Sequence, residues 1–162
     1  MTRAADLASE LVRTCNEFAD FLAELTPEEW LARAGDNPEA LGGEHETRQV
    51  GVVAHHVGDW LPLMSERVRR MATGEELPPL TPADIGAINA KHAAANPRPD
   101  QAATVALIRD YGGLAAEVVA GLTDESLDRE TPAGLTPERI VRLVIIGHVT
   151  GHEASIRATV GR

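Results

Sequence analysis

Aromatic residues and cysteine are scarce in this chain of 162 residues. Phenylalanine, tryptophan and tyrosine make up only 3% of it, so the 43% that is hydrophobic is almost entirely aliphatic. Because strands favour aromatic and β-branched residues, this composition argues against an all-β sandwich and favours helices. The single cysteine, Cys15, excludes an intramolecular disulfide and fits a reducing compartment.

Positive charge and long apolar runs are also in short supply. The chain has 15 Lys and Arg against 25 Asp and Glu, a formal net charge of −10. Such a surface repels phosphate backbones and anionic lipids, which disfavours nucleic acid and membranes as partners. No segment approaches the roughly 18 apolar residues of a membrane span, and the first residues carry charges where a signal peptide needs an apolar core. We therefore expect a cytoplasmic protein that acts on a small-molecule substrate.

The residues that are abundant follow a helical pattern. Apolar residues recur at spacings of three and four, and a threonine followed by proline at Thr26, Thr81 and Thr136 is typical of a helix start. These signals predict long helices at 4–25, 47–73, 100–121 and 136–160. They also predict short helices at 27–30 and 82–95, and a glycine-containing loop at 34–46.

This pattern predicts one all-α domain, 1–162, folded as a four-helix bundle with short extra helices in its connections. Pro62 lies inside the second long helix and predicts a kink or a local break, because proline cannot donate the helical hydrogen bond. The inner face of the third long helix is predicted to carry Val105, Ile108, Leu114 and Val118.

Three of the six histidines lie on predicted inner faces. His148 and His152 are four residues apart, so one helix face carries both, and His56 lies on the apolar stripe of the second long helix. A His-x-x-x-His pair alone is a weak motif, and a lone core histidine is more often hydrogen-bonded to a carbonyl than bound to a metal. Three imidazoles meeting in a core poor in polar groups favour a divalent metal, which satisfies all three together. The competing hypothesis keeps the fold and has no metal.

Residues near this set have more than one interpretation. His55 is rotated about 100° from His56 around the helix, so we expect it at an interface or hydrogen-bonded to a neighbouring segment. Asp59, three residues after His56, has three interpretations: a hydrogen-bond acceptor for a metal ligand, a general base acting on metal-bound water, or a solvated carboxylate at the edge of the bundle. Glu153 is expected to be a surface charge, and Cys15 a buried small residue and not a nucleophile. His45 and His92 lie in or near predicted loops and have no predicted partner.

Two segments resemble a known family. Residues 47–59, TRQVGVVAHHVGD, and residues 146–157, IGHVTGHEASIR, resemble the second-helix and last-helix signatures of the DinB-like superfamily, which includes the mycothiol-dependent maleylpyruvate isomerases. The resemblance implies a four-helix bundle in which His56, His148 and His152 bind a divalent metal, zinc or nickel, with iron as a further candidate. The isomerase branch usually has a glutamate where this chain has His148.

The resemblance also implies a class of activity. It favours a bacterial thiol-dependent S-transferase or isomerase that uses a low-molecular-weight thiol such as mycothiol or bacillithiol, and it implies a homodimer. An open three-histidine metal site equally suits a hydrolase that uses metal-bound hydroxide. The third possibility is a metal-binding stress or binding protein without catalytic activity.

Overall fold

The computed structural model describes residues 2–35, 48–132 and 134–162. It is 75% helical and has no strand among these residues, which confirms the predicted all-α class. An isolated antiparallel bridge joins Arg33 to Gln49. The helices are α1 (Arg3–Ala23), α2 (Pro27–Leu31), α3 (Val50–Ala72), α4 (Pro82–Ala95), α5 (Gln101–Ala120), α6 (Asp124–Leu127), α7 (Pro137–Ile140) and α8 (Gly147–Val160), and a π-helical segment, Val141–Ile146, joins α7 to α8.

Threonine side chains cap most of the described helices. At the N-cap each accepts a hydrogen bond from a backbone N–H of the first turn, which would otherwise lack a partner. The predicted starts after Thr26, Thr81 and Thr136 are confirmed. The short helix α6 was not predicted, because its cap Thr123 is followed by aspartate and not by proline.

The second long helix differs in part from its prediction. Its predicted start at Thr47, like most of the predicted loop 34–46, lies outside the described residues, and α3 begins at Val50. Of the two alternatives predicted at Pro62, a kink or a local break, the break is absent, since α3 continues through Pro62 to Ala72. Proline withholds one helical hydrogen bond, and the burial of Leu61 and Met64 on either side of it holds the helix in place.

The core lies between α5 and the two helices that pack against it, α1 and α3. The predicted inner face of α5 is only partly right: Val105 and Ile108 are buried, but Leu114 is 54% exposed and Val118 is half-buried. Ala115 and Val119 take the core positions instead. Small residues on this face let α5 lie close to its neighbours, so the contact between helices needs less side-chain volume than the predicted face would supply.

A short segment after α2 ties α3 to α8. The N–H of Ala34 donates to the carbonyl of Arg48 at 2.9 Å, and the N–H of Val50 donates to the carbonyl of Ala32 at 2.9 Å. Gly35 reaches α8, where its N–H donates to the Oγ1 of Thr159 at 2.8 Å and its carbonyl accepts from the Oγ of Ser155 at 3.0 Å. These bonds fix α3 and α8 relative to each other.

None of the helices in the described residues is long and apolar enough to cross a membrane.

Candidate metal centre

The three predicted histidines lie where α3 and α8 meet. His56 is in the first half of α3 and 4% exposed, and His152 on α8 is 7% exposed. His148 lies one turn before His152 on the same helix and is partly exposed as a residue, but its Nε2 atom is buried. Each ring continues an apolar helix face, which is why helix packing draws all three into the interior.

The rings converge on one point. Ring centroids are 5.2 Å apart for His56 and His148, 5.8 Å for His56 and His152, and 4.5 Å for His148 and His152. One nitrogen from each ring can be chosen so that all three lie within 4.8 Å of one another. The structure therefore brings together the residues that the sequence singled out.

A π-helical turn precedes the two histidines of α8. The N–H of Gly147 donates to the carbonyl of Arg142, five residues earlier, which closes the wider turn of a π-helix. One additional residue in a helix rotates everything after it by about 100° relative to an uninterrupted α-helix. The segment Val141–Ile146 thus sets which face of α8 carries His148 and His152.

Burial keeps the imidazoles of His56 and His148 neutral. It strongly lowers the pKa of His56, and the neighbouring His148 and His152 add to the effect. It also lowers the pKa of His148 to about 3, with smaller contributions from His152 and the Arg48 guanidinium. Because a metal binds the neutral ring, His56 and His148 are ready to coordinate at neutral pH without losing a proton.

The donor set fits a divalent transition metal. The buried Nε2 of His148 has no hydrogen-bond partner among the described residues, an arrangement that costs free energy unless something binds there. Zinc-to-nitrogen distances of about 2.0–2.1 Å place tetrahedral ligand atoms about 3.4 Å apart, so small side-chain rotations from the present spacing would complete the coordination. Imidazole is a ligand suited to zinc, nickel and iron.

One aromatic side chain covers this centre. Trp60 is 7% exposed, and its ring lies 5.8 Å from the ring of His56 and 5.9 Å from that of His148. It follows His56 by one turn of α3, so the same helix supplies both a ligand and an apolar wall. Such a wall limits the access of water to the centre.

Two further histidines form a pair next to the centre. The Nδ1 of His55 lies 2.8 Å from the Nε2 of His92, which confirms that His55 is hydrogen-bonded to a neighbouring segment. His92 is buried in the last turn of α4, and His55 is a partner that the sequence did not indicate. Its position could have been found from Ile85, Ile88 and His92, which recur at helical spacing after the cap at Thr81.

Asp59, the candidate catalytic residue, is exposed on the same half of α3 as His56. Burial lowers the pKa of both His55 and His92, and the Asp59 carboxylate opposes that shift in each. Asp59 therefore acts electrostatically on the His55–His92 pair.

The remaining candidates lie away from the centre. Cys15 is buried in the core, and burial raises the pKa of its thiol to about 12. Glu153 accepts a hydrogen bond from Arg157 at 2.8 Å, one turn along α8. His45 lies outside the described residues.

Comparisons with protein-family models, curated proteins and solved structures found no match to this chain.

Proposed function

We propose that this protein is a divalent-metal-dependent enzyme that transfers or isomerises substrates with the help of a low-molecular-weight thiol. His56, His148 and His152 are its metal ligands, with zinc or nickel as the metal. The observation that carries the proposal is the convergence of three imidazoles from two helices, the buried His56 and His152 and the half-buried His148, with nitrogens within 4.8 Å of one another. The resemblance of 47–59 and 146–157 to the DinB-like superfamily supports the same ligand set.

The proposal includes the fold type. We assign the chain to a DinB-like four-helix bundle formed by α1, α3, α5 and the run from α7 to α8. Packing of α1 and α3 against α5, and contacts of α8 with α1 and α3, support this arrangement.

A bound divalent ion would supply Lewis acidity toward a thiol sulfur or a water molecule. The chain's own residues do the rest. The three imidazoles would hold the ion, and Trp60, packed against the rings of His56 and His148, would limit the access of bulk water to it. Three protein ligands leave at least one position of a tetrahedral ion for an external group, as in catalytic and unlike structural zinc sites.

The thiol must come from outside the chain. Cys15 is the only cysteine, it is buried in the core, and its raised pKa keeps the sulfur protonated at neutral pH. A thiolate, not a thiol, is the nucleophile in such transfers. An external thiol such as mycothiol or bacillithiol is therefore the co-reactant that the proposal names, and Asp59 is its candidate base at the exposed edge of the site.

The proposal is tested by thiol conjugation with matched variants. Protein reconstituted with zinc or nickel is mixed with mycothiol or bacillithiol and monochlorobimane, and the fluorescent conjugate is followed. We expect metal-dependent conjugation that His148→Gln abolishes and Glu153→Gln retains. Cleavage of a p-nitrophenyl ester without added thiol, lost in the same His148→Gln variant, would instead identify a hydrolase. If metal-loaded protein shows neither thiol conjugation nor ester cleavage, an enzymatic role is contradicted.

A further inference from the structure

The His55–His92 pair stands beside the three-histidine centre. Adjacent positions on α3 carry His55 and His56, and the ring of His92 on α4 contacts both, at centroid distances of 5.1 and 5.5 Å. His92 is 6% exposed, although α4 otherwise exposes most of its residues. The helix α4 thus places the side chain of His92 against both His55 and the proposed ligand His56.

The two nitrogens of His92 have different surroundings. The Nε2 is 2.8 Å from the Nδ1 of His55, whereas the Nδ1 is buried and has no hydrogen-bond partner in the described part of the chain. A pair that served only to hold α4 on α3 would gain nothing from burying that second nitrogen unpartnered, because the loss of its hydration is unfavourable. The arrangement suggests that a bound group supplies the missing partner.

His92 is outside the ligand set itself. The nitrogens that lie within 4.8 Å of one another belong to His56, His148 and His152. Of those three rings, the ring of His56 is in contact with the ring of His92. His92 therefore lies beside a proposed metal ligand and has an unpartnered nitrogen that a group bound at the centre could use.

We propose that His92 binds the external ligand of the centre, its Nδ1–H donating a hydrogen bond to an anionic atom, above all a thiolate sulfur. This inference rests on the proposed function and assigns the residue that recognises the thiol. A neutral imidazole carries one N–H. If the Nδ1–H of His55 donates to the Nε2 of His92, the proton of His92 must be on its Nδ1, so His55 is the positioning residue that fixes this tautomer.

The test uses cobalt-substituted protein, whose visible spectrum reports on the metal and its ligands without any enzymatic assay. Cobalt affinity is measured first, and 2-mercaptoethanol is then titrated while the sulfur-to-cobalt charge-transfer band is followed. His92→Gln keeps an amide near the position of Nε2, facing His55, and removes the donor at the Nδ1 position. His92→Asn does the reverse, so the two variants are matched in chemistry and differ in which contact they keep.

We expect His92→Gln to bind cobalt like the wild type and to bind 2-mercaptoethanol at least about tenfold more weakly, the usual effect of losing a hydrogen bond to a charged atom. His92→Asn should retain most of the thiol affinity. If His92→Gln lowers cobalt affinity as much as His148→Gln does, His92 is a metal ligand and the inference is wrong. Unchanged thiol affinity would also overturn it and leave the proposed function standing. A wild type that binds no cobalt would overturn both.

Discussion

A buried imidazole with an unpartnered nitrogen is unfavourable on its own, and two such imidazoles lie against His56 in the described part of the chain. The nitrogens concerned are the Nε2 of His148 and the Nδ1 of His92. Leaving a buried polar atom without a partner costs about 1–3 kcal/mol. A side chain retained at that cost is better explained by what it binds than by how it packs.

The first prediction concerns His148. Replacing it with glutamine removes one of the three proposed ligand nitrogens, so zinc affinity should fall by more than the roughly 10–100-fold that follows loss of a group hydrogen-bonded to a ligand. Competition with a zinc-chelating dye measures the affinity directly.

Glu153→Gln is the matched control on the same helix. Its carboxylate pairs with Arg157 and not with the histidines, and i,i+4 ion pairs contribute only about 0.3–0.5 kcal/mol. Zinc affinity should therefore be unchanged. Equal affinities for the two variants and the wild type would remove His148 from the ligand set.

At the scale of helices, α1 and α5 approach each other closely at Gly112, which has no side chain. A Cβ built at Gly112 would lie 2.6 Å from the Cβ of Cys15, whereas one built at Gly113 meets nothing within 4 Å. Neighbouring positions on one helix thus have opposite tolerance for an added methyl group.

This difference gives the second prediction. Gly112→Ala should lower the free energy of unfolding by about 1–3 kcal/mol, the usual cost of overpacking a core. Gly113→Ala should raise it by up to about 1 kcal/mol, because alanine is the better helix former. Urea denaturation of both variants measures the two changes, and a destabilisation of the same size in both would show that α1 and α5 do not pack through Gly112.

Helix starts were predictable because they depend on local chemistry. A threonine cap followed by proline needs no information about the rest of the chain, and Thr26, Thr81 and Thr136 accordingly begin helices. The face of α5 was less predictable, since Leu114 has the right spacing for the core but glycine and alanine make the closer contact. Close approach depends on the partner helix, which a single segment does not reveal.

The sequence predicted the three candidate ligands of the centre, but not the π-helical segment before two of them or the histidine beside them. His56, His148 and His152 lie on strong apolar stripes, and helix packing brings such stripes together. No sequence pattern indicated the π-helical segment Val141–Ile146. His92 was missed because the face of α4 that carries it has little apolar character beyond Ile85 and Ile88.

For the molecule as a whole, the buried histidines link stability to pH. The pKa values of His56 and His148 are lowered in the folded state, and that of His148 falls from the ordinary 6.5 to about 3. Between these values the unfolded chain binds more protons than the folded one. The free energy of unfolding therefore keeps its full value above the ordinary histidine pKa and decreases as the pH falls below it.

The third prediction follows from that sign. The free energy of unfolding of metal-free protein should fall between pH 7 and pH 5, with a slope approaching about 1.4 kcal/mol per pH unit for each such histidine once the pH is well below 6.5. Urea denaturation in the presence of a chelator measures it. The slope should be smaller for His148→Gln, and identical slopes for the two proteins would contradict burial of a neutral His148.

Metal binding should shift the folding equilibrium toward the folded state, whereas acidification shifts it toward the unfolded state. A ligand that binds the folded state alone stabilises it, by about 2.7 kcal/mol when its free concentration is 100 times its Kd. Because protons and metal compete for the same nitrogens, this added stability should vanish on acidification. Thermal denaturation with and without equimolar zinc at pH 7.5 and pH 5 measures the effect, and a zinc-induced shift that is equal at both pH values would count against imidazole ligands.

The central claim, that imidazoles from α3 and α8 form one metal centre, is tested most directly by anomalous diffraction from crystals grown with zinc or nickel. The account predicts a single strong peak about 2.0–2.1 Å from one nitrogen each of His56, His148 and His152. A map with no peak there, or with the metal held by other residues while these three rings point apart, would contradict it.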